Sequence, residues 1–86
     1  EIGLVNDVVP LTKLDEVVDG YLHDILRCAP LSVRSTKESA MRGLDMSLPE
    51  AGRAHFEWEE RRRKSEDQVE GPRAFAEKRA PNWTGR

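Results

Sequence analysis

Apolar side chains recur along residues 14–26 at a spacing that suits a helix. Leu14, Val17, Val18, Tyr21, Leu22, Ile25 and Leu26 follow one another by steps of three and one, a continuous stripe down one helical face. This is the strongest periodic signal in the chain. Gly20 sits inside it and costs the helix up to about 1 kcal/mol relative to Ala, which points to close packing there. Upstream, Ile2–Val9 carries β-branched residues and Leu and is closed by Pro10, predicting a short extended segment. Thr12, with Asp15 three positions on, offers a weak form of the capping box for the helix start.

Pro30 suits the first turn of a second helix, whose looser apolar face is Leu31, Val33, Ala40, Met41 and Leu44, with Gly43 as its C-terminal cap. Ser47-Leu48-Pro49-Glu50 then matches the S-x-x-E capping box and opens a third helix. Leu48, Ala51, Ala54, His55 and Trp58 fall on one side of it. After Trp58 the pattern changes. Residues 59–68, EERRRKSEDQ, hold no apolar side chain, so a helix there projects into solvent or lies on a polar surface. Glu57–Arg61, Glu59–Arg63 and Glu60–Lys64 are i,i+4 pairs in the favourable order, which makes Arg61–Lys64 a solvated face rather than a nucleic-acid patch. Gly71-Pro72 marks a break or a fresh helix start, and Arg73–Arg79 reads as a short terminal helix ended by Pro81.

Composition narrows the function classes. The chain has 86 residues, 37% hydrophobic and 35% charged, with a formal net charge of −2. That is thin material for an independent core and gives no general pull towards nucleic acid or anionic membrane. A single cysteine, Cys28, excludes an internal disulfide and reads as a small half-buried helix residue. No apolar run approaches a membrane span, and no signal-peptide pattern appears. The opening Glu1-Ile2-Gly3 reads as a chain cut into. Asn82-Trp83-Thr84 matches the N-glycosylation tripeptide without other signs of secretion.

Self-sufficient catalysis is not expected. His23 and His55 lie 32 positions apart without metal-ligand spacing, and no phosphate loop or nucleophile elbow occurs. The acidic residues mostly have basic neighbours at helical spacing, which argues against a carboxylate of raised pKa. No catalytic residue and no metal ligand stands out.

The order of the short motifs adds what periodicity lacks. Ile2-Gly3-Leu4-Val5-Asn6 with Val8-Val9-Pro10, then Ala29-Pro30-Leu31 leading to Thr36-Lys37-Glu38, then Ser65-Glu66-Asp67, Glu70-Gly71, Ala74-Phe75 and Glu77-Lys78-Arg79 run through the whole chain. Each motif is common, but the ordered set resembles the C-terminal third of the enoyl-CoA hydratase/isomerase (crotonase) family. The resemblance implies a mainly α fold, three to four helices after a short extended segment. Residues 1–10 would end the spiral core, and residues 11–86 would form the helical trimerisation region. The catalytic N-terminal domain would lie upstream of this chain. The polar stretch Glu59–Gln68 departs from members with more apolar residues there.

By the same resemblance, Phe75 and Lys78 match the family's Phe and Lys that contact the CoA nucleotide, often from a neighbouring subunit. An aromatic face can stack on adenine, and an ammonium can neutralise phosphate. Arg73 and Arg79 are weaker phosphate candidates. The implied activity is hydration of a 2-enoyl-CoA in fatty-acid or related acyl-CoA metabolism. The CoA thioester would be the substrate, with no separate cofactor. The implied partners are the missing core and a homotrimer or dimer of trimers, without nucleic acid or membrane, in the cytoplasm or a mitochondrial matrix. This chain alone would be inactive. Two other readings stay open, an independent helical interaction segment and a non-catalytic crotonase relative.

Overall fold

A computed structural model describes residues 2–86; Glu1, the first position of the expected 1–10 segment, lies outside the described residues. A 3₁₀ turn, Leu11–Lys13, leads into α1 (Leu14–Leu26), followed by α2 (Pro30–Gly43), α3 (Leu48–Arg53), α4 (Glu57–Arg63) and α5 (Asp67–Ala76). No strand occurs among the described residues, so the mainly helical reading holds. Residues 2–10 are irregular, tied down where the Tyr21 hydroxyl donates to the Asp7 carboxylate. Thr12 does not cap α1, because the chain enters through the 3₁₀ turn and no side chain bonds the first N–H groups.

Five α-helices stand among the described residues where three to four were expected, since the third one breaks. Ser47 and Glu50 form the full capping box, with Ser47 N–H donating to Glu50 Oε2 at 2.9 Å. The chain then turns extended at Ala54 and Phe56. This bend brings Phe56, which is buried, and Trp58 back onto α2. The Arg42 guanidinium lies 4.6 Å from the Phe56 ring, and the Arg34 guanidinium 4.8 Å from the Trp58 ring. Phe56 has no side-chain oxygen with which to cap α4. Glu38 of α2 fills that role, accepting from Trp58 N–H at 3.0 Å. His55 consequently sits in the break, exposed, rather than on a helical face.

Helix α4 is therefore no free polar arm. Its main partner is α2, and charge rather than apolar area carries part of the joint. Ser35, buried on α2, donates its hydroxyl to Glu59 Oε2 at 2.8 Å, and the same carboxylate holds Arg62 at 2.7 Å. Glu59 thus pairs with Arg62 and not with Arg63. Glu57–Arg61, at 2.6 Å, and Glu60–Lys64, at 3.9 Å, do form the expected i,i+4 pairs.

The helix expected from Arg73 begins earlier, at Asp67, and runs through Gly71-Pro72. An internal Pro removes one helical hydrogen bond, so other contacts must hold this helix. At its start, Ser65 accepts from Gln68 N–H at 3.2 Å and donates to the Arg62 carbonyl at 2.7 Å. Along its flank the Trp83 ring lies so close to Gly71 that a Cβ there would meet it at 3.3 Å. Only Gly leaves that surface free without moving the indole.

Core and shape follow from this sparse packing. The buried apolar residues are Leu31, Phe56 and Ala74. The stripe of α1 stays about half exposed along Leu14, Val18, Tyr21, Leu22 and Ile25. The radius of gyration is 16.5 Å, against about 12 Å for a compact domain of this length. Cys28 lies exposed in the turn after α1 instead of half-buried on it, because α1 ends at Leu26.

Candidate functional site

Phe75 and Lys78 fall at the C-terminal end of α5, where the helix closes in a double cap. Lys78 N–H donates to the Phe75 carbonyl at 3.2 Å, and Arg79 N–H reaches back to the Ala74 carbonyl at 3.0 Å. These two bonds form a Schellman motif, whose turning residue adopts the left-handed conformation. That position is usually Gly. Here it is Lys78, with φ of 54°, the one left-handed non-glycine among the described residues. A side chain there costs roughly 1–2 kcal/mol against Gly.

The two candidates are exposed in different ways. Phe75 shows 87% of its surface, while its neighbour Ala74 shows 1% and anchors the helix in its place. Lys78 lines an open cleft of about 770 Å³ between the end of α1 and the C-terminal tail, together with Asp24, Arg27, Cys28, Arg79 and Trp83. Phe75 lies outside this cleft. The fold therefore places the two side chains on one helix end without bringing them to a shared wall.

Arg79, a weaker phosphate candidate, is already committed. Its Nη1 and Nη2 meet the two oxygens of Glu70 at 2.6 and 3.1 Å, and its Nε meets Glu77 at 2.5 Å. Glu70 also accepts from Asn82 N–H at 2.8 Å. The Arg79 guanidinium and the Asn82 N–H together pull the Glu70 carboxyl down to about 2. Arg73 remains exposed on the last turn of α5, lining a shallower surface with Glu66, Glu70 and Asn82 rather than the Lys78 cleft.

Asp67 and Trp83 organise this end, and neither stood out in the sequence as functional. Buried Asp67 accepts from Thr84 N–H at 2.7 Å, from the Thr84 hydroxyl at 3.1 Å and from Gly85 N–H at 2.9 Å. Burial pushes its carboxyl up, but the two backbone N–H groups and the hydroxyl outweigh that and hold it below the usual range. Trp83 donates its indole N–H to the Arg27 carbonyl at 2.8 Å. Between them they fix residues 80–86, which have no regular structure of their own, against α5 and the α1–α2 turn. The signal was present in Ser65-Glu66-Asp67 and Asn82-Trp83-Thr84, which are local motifs whose partners lie far away in sequence.

No group of acidic, histidine or cysteine side chains among the described residues could hold a metal ion. No helix among them is long and apolar enough to cross a membrane. The site offers exposed cations, an exposed aromatic ring and a rigid turn, which suits binding an anionic ligand.

Comparison with known proteins agrees along the whole chain. The enoyl-CoA hydratase/isomerase family profile matches residues 1–86. The (E)-benzylidenesuccinyl-CoA hydratase of Thauera aromatica is 44% identical over 85 residues, covering 96% of this chain and 32% of that protein. Carnitinyl-CoA dehydratase of Proteus mirabilis is 36% identical over 88 residues, covering 98% of this chain and 34% of its own length. The solved structure of an enoyl-CoA hydratase/isomerase from Mycobacterium paratuberculosis superposes with a TM-score of 0.90 at 39% identity, over 98% of this chain and 33% of that one. The chain thus spans about a third of the length of the relatives it matches.

Proposed function

This chain belongs to the enoyl-CoA hydratase/isomerase family, and on that premise we propose that it is the nucleotide-clamping end of an enzyme that hydrates a 2-enoyl-CoA. In that reaction water adds across the conjugated double bond, its oxygen to C3 and a proton to C2. Polarising the thioester carbonyl and moving those protons is work for oxyanion donors and carboxylates. We assign that work to the rest of the protein, not to the residues of this chain. Their share is to bind and orient the CoA thioester, which enters as substrate with no separate cofactor.

The observation that carries this reading is Lys78 in the left-handed region. A strained side chain stands where a glycine would relax the turn, and we read it as a residue kept for what it binds. The double cap fixes its backbone, and Lys78 lines the cleft. Phe75, one turn earlier and almost fully exposed, offers a ring face for adenine. The half-exposed α1 stripe and the extended shape favour burial against further chain, which we read as the spiral core of the same protein and neighbouring subunits of a trimer.

The test uses the full-length protein carrying these residues. Lys78→Ala should raise KM for an acyl-CoA while leaving turnover of the matching acyl-pantetheine thioester close to wild type. Equal loss on both substrates would make Lys78 structural and sink the clamp.

A further inference from the structure

We propose that Arg27 is a second cationic ligand for the nucleotide phosphates, acting in the same cleft as Lys78. The inference rests on the clamp reading of Lys78 and adds a residue from a different element. Arg27 follows the last turn of α1, some fifty positions from Lys78 in sequence, yet both line the same open cleft.

Three observations single it out among the cations there. First, Arg27 makes no ion pair among the described residues, and neither does Lys78; Arg79, the third cation of the cleft, is bound to Glu70 and Glu77. Second, the Arg27 backbone is locked on both sides. Its N–H donates to the His23 carbonyl at 3.1 Å, and its own carbonyl accepts from the Trp83 indole at 2.8 Å. The guanidinium therefore starts from a fixed point joined to the same tail that follows Lys78. Third, Asp24 is the only acid lining the cleft among the described residues, set against the two cations without an ion pair, Arg27 and Lys78.

A planar guanidinium and an ammonium lining one cleft suit a phosphate, since the guanidinium offers two parallel donors and the ammonium a point charge. Trp83, which also lines the cleft, keeps the wall firm without supplying charge. The polar ligand these residues fit is a phosphorylated nucleotide end rather than a free carboxylate chain end, because two cations match several phosphate charges better than a single one.

Arg27→Gln in the full-length protein tests this directly. The bonds that lock the backbone use only main-chain atoms of Arg27, so the substitution leaves the turn in place and the melting temperature should stay near wild type. KM for an acyl-CoA should rise about tenfold, the loss of one charge-assisted bond. The change with the matching acyl-pantetheine thioester should be much smaller, and Arg27→Lys should recover only part of the loss, since an ammonium keeps the charge without the two parallel donors. An equal change on both substrates, or none on either, overturns the role of Arg27. If Lys78→Ala is selective for the CoA thioester while Arg27→Gln is not, only this inference fails. If neither is selective, the clamp reading fails with it.

Discussion

Trp83 donates its indole N–H to the main-chain carbonyl of Arg27 across 2.8 Å, a bond spanning 56 positions of sequence. The other end of the same ring rests on Gly71. One side chain thus fastens the C-terminal tail to the α1–α2 turn and to the middle of α5, where Pro72 has removed a helical bond. The indole is only half-buried, so its burial contributes less than a core Trp would. Trp83→Ala should cost about 2 kcal/mol. The change would also free residues 80–86, read as faster amide exchange there while the α2–α4 joint keeps its protection. Uniform loss of protection across all helices would mean the indole supports the whole segment rather than its tail.

Asp67 holds the same tail by charge. It takes three hydrogen bonds from Thr84 and Gly85 while nearly buried. Asp67→Ala leaves those donors to find water and should destabilise by about 2–3 kcal/mol. Asp67→Asn keeps the shape and an acceptor but loses the charge, so it should fall between the two in thermal melting. Since the tail forms one wall of the Lys78 cleft, Asp67→Ala should also weaken acyl-CoA binding. Unchanged binding would separate the tail from the clamp.

Acid should loosen this end of the molecule in a defined window. Glu70 sits at about 2 in the folded chain against an ordinary 4.5, held down by Arg79 and Asn82. A carboxyl with a depressed folded pKa contributes stability that is present above its unfolded value and lost as pH falls through its folded one. The contribution is therefore full at neutral pH and drains away from about pH 4.5 to about pH 2. Glu59, at about 2 through Arg62 and Ser35, acts the same way at the α2–α4 joint. Glu70→Gln should melt with a shallower dependence on pH across that window than the wild type, while near neutral pH it should melt lower. Identical pH profiles for the two proteins would show that the Glu70–Arg79 pair is too well solvated to matter.

What could be read from the sequence divides along a physical line. The stripe of α1, the Pro30 start of α2 and the Ser47–Glu50 capping box are local patterns, and all three occur where the spacing placed them. The break at Ala54–Phe56 was hidden because its cause is tertiary. Phe56 and Trp58 turn back to α2, and Glu38, twenty positions earlier, supplies the cap that α4 lacks. Continuation of α5 through Pro72 was likewise invisible, being supported by Trp83 from beyond the helix. For the polar run 59–68 the second of the two readings, a helix on a polar surface, is the one that occurs, but its partner Ser35 was an unremarked residue until Glu59 found it. At the site, Phe75 and Lys78 came from the ordered motifs. Their separation into an exposed ring and a cleft wall, and the arrival of Arg27 in the same cleft as Lys78, depend on chain reversal that no spacing encodes.

The left-handed Lys78 allows binding and stability to be set against each other in a single substitution. Glycine is the residue that this turn prefers, so Lys78→Gly should relax the backbone and raise stability by about 1 kcal/mol. The greater freedom of Gly in the unfolded chain offsets part of that gain. Lys78→Ala keeps the strained φ and removes the ammonium, so it should be no more stable than wild type. Both should lose acyl-CoA affinity to a similar extent. Melting curves and KM measured on the three proteins therefore separate the two roles of the residue. A Lys78→Gly protein that is more stable yet binds acyl-CoA poorly identifies the lysine as kept for its charge at a cost to the fold. One that is more stable and binds as well as wild type shows that the ammonium has no part in the clamp.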